Sequence, residues 1–322
     1  MRDRESKQEL DTTEELLAGA DTQCVDTQSA DTVSTTTDPS EPSKSRSMMF
    51  PTWGDLLAIL GLFMVVQLTT LFIFSLLGFS TLAPEGFESM DYAAHRAAEF
   101  SMGKMIFYWS IISQPMMLLM VIIYGCARSG KFGSIHLSMR GFDPTILLWG
   151  ILLILSLEVV IEPLMQLLPQ QSTPNGRGIY MLLSLVVVAP IFEELLCRGV
   201  ILEAIRKKRG ALAGCVISAL IFGIMHFEPQ SALNAFIVGI LLGYLYLRTN
   251  SIFAPILLHA VNNALAYFLL IFGLAETSIS ELINNEYIYS IIYIVAAVIL
   301  VVSLFGISRY ISRLNRGDRH PA

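Results

Sequence analysis

From Trp53 onward the chain runs through eight apolar stretches, each able to form a helix of about 17–25 residues, the length that crosses a bilayer. They cover 56–77, 105–126, 145–168, 179–198, 211–227, 231–247, 252–272 and 288–307. In lipid the backbone has no water to bond, so such stretches must satisfy their N–H and C=O groups internally, as helices. The expected fold is therefore all-α, a polytopic transmembrane helix bundle of about eight spans. Composition agrees: 15% of residues are charged, where a soluble domain carries about 25%.

The loops test the count independently, because cytoplasmic loops are rich in Lys and Arg. The second loop carries Arg128, Lys131 and Arg140, and the fourth carries Arg206, Lys207, Lys208 and Arg209. The sixth has Arg248, and the C-terminus has Arg309, Arg313, Arg316 and Arg319. The first loop is instead mainly acidic (Glu85, Glu88, Asp91 and Glu99), as is the seventh (Glu276, Glu281 and Glu286). This alternation places both termini in the cytoplasm.

Residues 1–48 break the pattern. They hold five Lys/Arg and eleven Asp/Glu, a balance of -6 that equals the net charge of the whole chain. Rich in Ser, Thr and acids, they lack the apolar surface to offset ordering entropy and are expected to form a disordered cytoplasmic tail. Residues 49–310 then form the membrane domain, with its motif-bearing core at 145–272, and 311–322 a basic cytoplasmic tail. No basic face stands clear of the membrane segments, which excludes a nucleic-acid partner. Cys24, Cys126, Cys197 and Cys215 form no CxxC pair, and they read as small packing residues rather than a thiolate metal site.

Ionisable residues at membrane depth are costly and mark function. The fourth stretch contains Glu193, Glu194 and Arg198, the fifth Phe222 and His226, the seventh His259 and Asn263. Glu194 and Arg198 are four residues apart and share a helix face, so they can pair and support the site. Glu193 points about 100° away and is left to face another helix. Glu193, His226, His259 and Asn263 can thus converge on one water or one metal ion. Glu193 can act as general base on water, with His and Asn donors on the oxyanion. Alternatively, Glu193, His226 and His259 can bind zinc, which lowers the pKa of its bound water. The residues alone leave both routes open.

These motifs resemble those of the CPBP family of intramembrane proteases, which includes CAAX prenyl endopeptidases and bacteriocin-processing or immunity (Abi-like) proteins. The family pattern is Glu-Glu-xxx-Arg, then Phe-xxx-His, then His-xxx-Asn. Here these read Glu193-Glu194-Leu195-Leu196-Cys197-Arg198, Phe222-Gly223-Ile224-Met225-His226 and His259-Ala260-Val261-Asn262-Asn263. The resemblance implies an intramembrane endopeptidase of CAAX type acting on a membrane-associated or lipidated peptide. It implies that Glu193 activates water with help from His226, and that His259 and Asn263 stabilise the oxyanion or help hold a metal. Cys197 stands where an aromatic residue is common before the arginine. The expected location is the bacterial plasma membrane. A proton- or cation-coupled transporter using Glu158, Glu162 and Glu193 is the competing reading, with a non-catalytic scaffold or immunity protein as a third.

Two further features carry expectations. Gly239 and Gly243 form a GxxxG in the sixth stretch, read as a site of close packing within the protein. His226 lies about 24 Å along its helix and His259 about 12 Å along its own, so the fifth helix must be offset or tilted for the two to meet.

Overall fold

The computed structural model describes residues 50–79, 83–129, 142–169, 176–275 and 277–317. The acidic segment 1–48, and with it the expectation of disorder there, lies outside the described residues, as do Lys131, Arg140, Glu276 and Arg319. Helix α1 is Trp53–Leu76, α2 Tyr92–Ser129, α3 Pro144–Met165, α4 Ile179–Arg209 and α5 Ala211–Ile224. They are followed by α6 Pro229–Thr249, α7 Phe253–Ile271, the short α8 Ile279–Ile283 and α9 Glu286–Gly317. Among the described residues there is no strand, and seven helices are long and apolar enough to cross a membrane.

The fifth stretch differs from expectation. As α5 it has 14 residues, a rise of about 21 Å against a hydrocarbon core of about 30 Å. It ends in a tight turn where Phe227 adopts a left-handed backbone and Glu228 caps the next helix, accepting from the Gln230 and Ser231 amides. α9 continues to Gly317, so much of the segment expected as a tail beyond 310 is helical.

The starts of the helices follow local chemistry. Thr52 and Asp55 form a capping box at α1, satisfying backbone donors that a helix start leaves unpaired. Asp55 also accepts from the Tyr124 hydroxyl at 2.7 Å and the Arg128 guanidinium at 2.8 Å, tying α1 to the end of α2. Asp143 caps α3 with Pro144 in its first turn, where a missing N–H costs nothing.

Two apolar clusters hold the helices together. Leu56, Ile59, Phe63, Met117, Val121, Leu196 and Ile201 join α1, α2 and α4. Ile146, Leu153, Leu242, Leu258 and Ile307 join α3, α6, α7 and α9. α4 belongs to the first cluster and packs on α7, which belongs to the second. Outward faces are apolar: Leu57, Leu68 and Phe72 on α1, and Ile291, Val298, Val301 and Phe305 on α9, are exposed. Such surface is stable in lipid, whereas in water it forms aggregation-prone patches.

The GxxxG glycines face α5. A Cβ on Gly239 meets Ala219 and Phe222 at 3.2 Å, and one on Gly243 meets the Cys215 sulfur at 2.9 Å. Gly239→Leu is therefore expected to cost about 1–3 kcal/mol through overpacking. Gly61→Leu on exposed α1, where a Cβ meets nothing within 4 Å, leaves stability unchanged. Thermal unfolding of the two variants in detergent measures the difference.

Candidate active site

The site is organised by α4, which is not a regular helix. It widens into π-turns at Ser184–Val188 and again at Leu195–Leu202, on either side of Glu193 and Glu194. The first widening has a cause in sequence: the ring of Pro190 collides with the carbonyl four residues back in a regular α-turn, and opening the turn relieves it. A buried 2.8 Å bond between the Ser110 and Ser184 hydroxyls holds the widened turn against α2. In the second, the Ser218 hydroxyl of α5 donates to the Cys197 carbonyl at 2.7 Å. Such bulges recur where a helix must re-aim side chains.

Glu194 and Arg198 are both fully buried and pair at 2.8 Å, as their spacing predicts. Arg198 also donates to the Gly239 carbonyl at 2.9 Å, and its guanidinium lies 4.9 Å from the Phe222 ring. Glu194 accepts from His259 Nδ1 at 3.0 Å. That bond leaves His259 Nε2 toward Glu193, whose Oε2 is 3.8 Å away. The gap is wider than a hydrogen bond. Gln114 of α2 approaches the other Glu193 oxygen at 3.4 Å.

Phe222 joins the three motifs. Its buried ring meets His226 edge-on at 4.8 Å and His259 edge-on at 5.4 Å, besides Arg198. The two imidazoles thus reach the same ring despite their different distances along α5 and α7. The Phe222 carbonyl accepts from His226 Nδ1 at 2.8 Å. A carbonyl can only accept, so Nδ1 carries the proton and Nε2 keeps the lone pair in the neutral ring. Asn263 donates from Nδ2 to the Leu185 carbonyl at 2.9 Å, inside the first π-turn.

Beside these groups lies a cavity of about 550 Å³. His226, His259, Asn262 and Asn263 line it, together with Glu158, Glu228 and Asn234. Glu193 is not among its wall residues; it stands behind His259. Glu158 therefore lines the candidate site, with one oxygen bonded to Asn234 at 2.8 Å and the other buried without a hydrogen-bond partner. Glu162 does not join it, because its carboxylate accepts from the Ile279 amide, Tyr289 and Gln166. At the turn, burial pushes the Glu228 carboxyl upward, but hydrogen bonds from Ser231 and Gln230 outweigh it and hold it below the usual range.

Among the described residues, no three His, Cys, Asp or Glu side chains form a group able to hold a metal ion. Glu193, His226 and His259 therefore do not make a preassembled zinc site: Glu193 and His259 approach each other, while His226 is anchored to its own helix. Sequence reasoning passed over Gln114, Asn234 and Asn262. The signal for Gln114 is its place in Ser113-Gln114-Pro115, which interrupts a mainly apolar run.

The fold and its buried polar centre define an integral, multi-pass helical membrane protein. Residues 175–265, which carry all three motifs, match the model of a family described as type II CAAX prenyl endopeptidase Rce1-like. The resemblance to CPBP-family proteases is thus borne out over the segment that bears the motifs. The chain is 35% identical over 77 residues to the Bacillus subtilis (strain 168) protein named "Putative membrane peptidase YdiL", covering 24% of this chain and 32% of the relative. It is 31% identical over 110 residues to an Escherichia coli "Uncharacterized 24.3 kDa protein", covering 32% of this chain and 50% of that protein. The chain thus spans a third to a half of the length of these curated relatives. No solved structure matches it.

The two adjacent glutamates make opposite predictions. Glu194→Ala strands Arg198 in a dry interior and is expected to cost about 3–5 kcal/mol, seen as loss of folded protein in detergent. Glu193→Gln keeps the fold, since Glu193 has no buried charge to neutralise. Size-exclusion profiles and melting curves of the two variants compare them directly.

Proposed function

We propose that the protein is an intramembrane endopeptidase that hydrolyses a peptide bond in a membrane-associated or lipidated peptide, with Glu193 activating the water. The observation that carries this reading is that His226, His259 and Asn263 line one cavity while Glu193 of α4 lies 3.8 Å from His259, so that α4, α7 and the turn after α5 supply one polar cluster. The family match and the name of the Bacillus subtilis relative support a peptidase.

In this reading a water stands between Glu193 and His259. Glu193 takes a proton from it as its oxygen adds to the peptide carbonyl. The oxyanion that forms accepts a hydrogen bond from Asn263, while His259, whose ring proton is held on Nδ1 by Glu194, accepts from the water at Nε2. As the tetrahedral intermediate collapses, the C–N bond breaks and the leaving amine receives the proton held by Glu193, relayed through the basic Nε2 of His226. Glu194, held by Arg198, keeps the His259 ring in position. No step is routed through a metal, because the three candidate ligands do not form a donor set. Substrate is taken up in the cavity lined by His226, His259 and Asn263.

Glu193→Gln removes the base and is expected to lower cleavage by at least about 10²-fold. A comparison of membrane peptidomes from cells carrying wild type or Glu193→Gln reads out this loss and identifies the bond cut. Identical peptidomes overturn the proposal. In a purified assay on a peptide found this way, activity is expected to survive zinc chelation; loss on chelation and recovery with zinc return the reaction to a metal-bound water.

A further inference from the structure

The anchor of Asn263 traces back to a residue that is not on the cavity wall. The Leu185 carbonyl has two backbone donors in reach along its own helix: the N–H at 189 in α-register and the N–H at 190 in π-register. The first is taken, because Ala189 donates to the Ser184 carbonyl. The second does not exist, because residue 190 is proline. Leu185 is left with an unsatisfied carbonyl at membrane depth, where an unpaired acceptor is expensive. Asn263 fills it at 2.9 Å from α7.

We infer that Pro190 is a positioning residue: by withholding an N–H it reserves the Leu185 carbonyl for Asn263 and so fixes the orientation of the Asn263 amide. An amide nitrogen carries two protons. One is committed to Leu185, which determines the direction of the other and places the Asn263 oxygen opposite it. An asparagine without this anchor can rotate about its terminal torsion and present either end to the cavity. Three links, a missing donor, a free carbonyl and a captured side chain, convert the covalent chemistry of one proline into the aim of a group on another helix. The catalytic consequence rests on the reading of Asn263 as an oxyanion donor; the anchor itself does not.

Two measurements separate these levels. The first uses the full chain in detergent, labelled with ¹⁵N-asparagine, and follows exchange of the side-chain amide protons. The Asn263 signal is assigned by its loss in Asn263→Ala. In wild type one Asn263 Nδ2 proton is expected to exchange far more slowly than those of exposed Asn284 and Asn285. In Pro190→Ala, which restores an N–H at 190, that protection is expected to be lost while the melting temperature stays within a few degrees of wild type. Fast exchange in wild type overturns the inference without recourse to any variant, as does full protection in Pro190→Ala.

The second measurement uses a synthetic internally quenched peptide spanning the Glu193-dependent cleavage. Pro190→Ala is expected to lower kcat about ten-fold or more, since removing one oxyanion donor costs about 10²–10³, with KM little changed. A structural role for Pro190 moves stability instead, and an unchanged kcat refutes the catalytic link. If Glu193→Gln cleaves as wild type does, the proposed function falls while the exchange result still decides the anchor.

Discussion

The ion pair between Glu194 and Arg198 is the interaction on which the rest of the centre depends. Two charges at zero exposure are tolerable only together, and here each has further partners. Arg198 reaches the Gly239 carbonyl on α6 and the Phe222 ring on α5, and Glu194 reaches His259 on α7. A single pair thus ties α4 to three other helices. The approach of α6 relies on glycine, because a side chain at position 239 would occupy the space held by Ala219 and Phe222. Once the pair is in place, the ring orientation of His259 follows, and with it the atom that faces Glu193.

The neighbouring glutamate owes its freedom to the same arrangement. Glu194 is spent on charge neutralisation, so Glu193 is left with only a long contact to Gln114 and a gap to His259. Adjacent positions on a helix point in different directions, so two identical side chains of α4 meet different surroundings. The π-turns on either side adjust the aim further, and both expose carbonyls that side chains of other helices take up.

Much of this was legible in the sequence. The apolar periods gave the helices, and the i,i+4 spacing gave the Glu194–Arg198 pair, because both are set by local geometry. Phe222 stands in the sequence only as one end of its Phe-xxx-His motif; its contacts with two histidines and an arginine depend on separate elements meeting and have no local signature. The same holds for Glu158, whose place on the cavity wall is decided by α6 supplying Asn234. Glu228-Pro229 marks the turn after α5 in the sequence, but the helix stops three residues before the end of its apolar stretch, at Ile224, because the chain turns through a left-handed Phe227. Hydropathy records which residues tolerate lipid; it does not record where a turn interrupts them.

That short helix also sets how the protein meets its surroundings. α5 falls about 9 Å short of a typical hydrocarbon core, and the residues just past its tip are Glu228, Gln230 and Ser231, which lie on the cavity wall. Acyl chains facing this end find polar groups where an ordinary span offers apolar ones, and a bilayer relieves such mismatch by thinning. Membrane thickness thereby sets how wet this end of the cavity is: a thin bilayer brings hydration down to the tip of α5, and a thick one seals it.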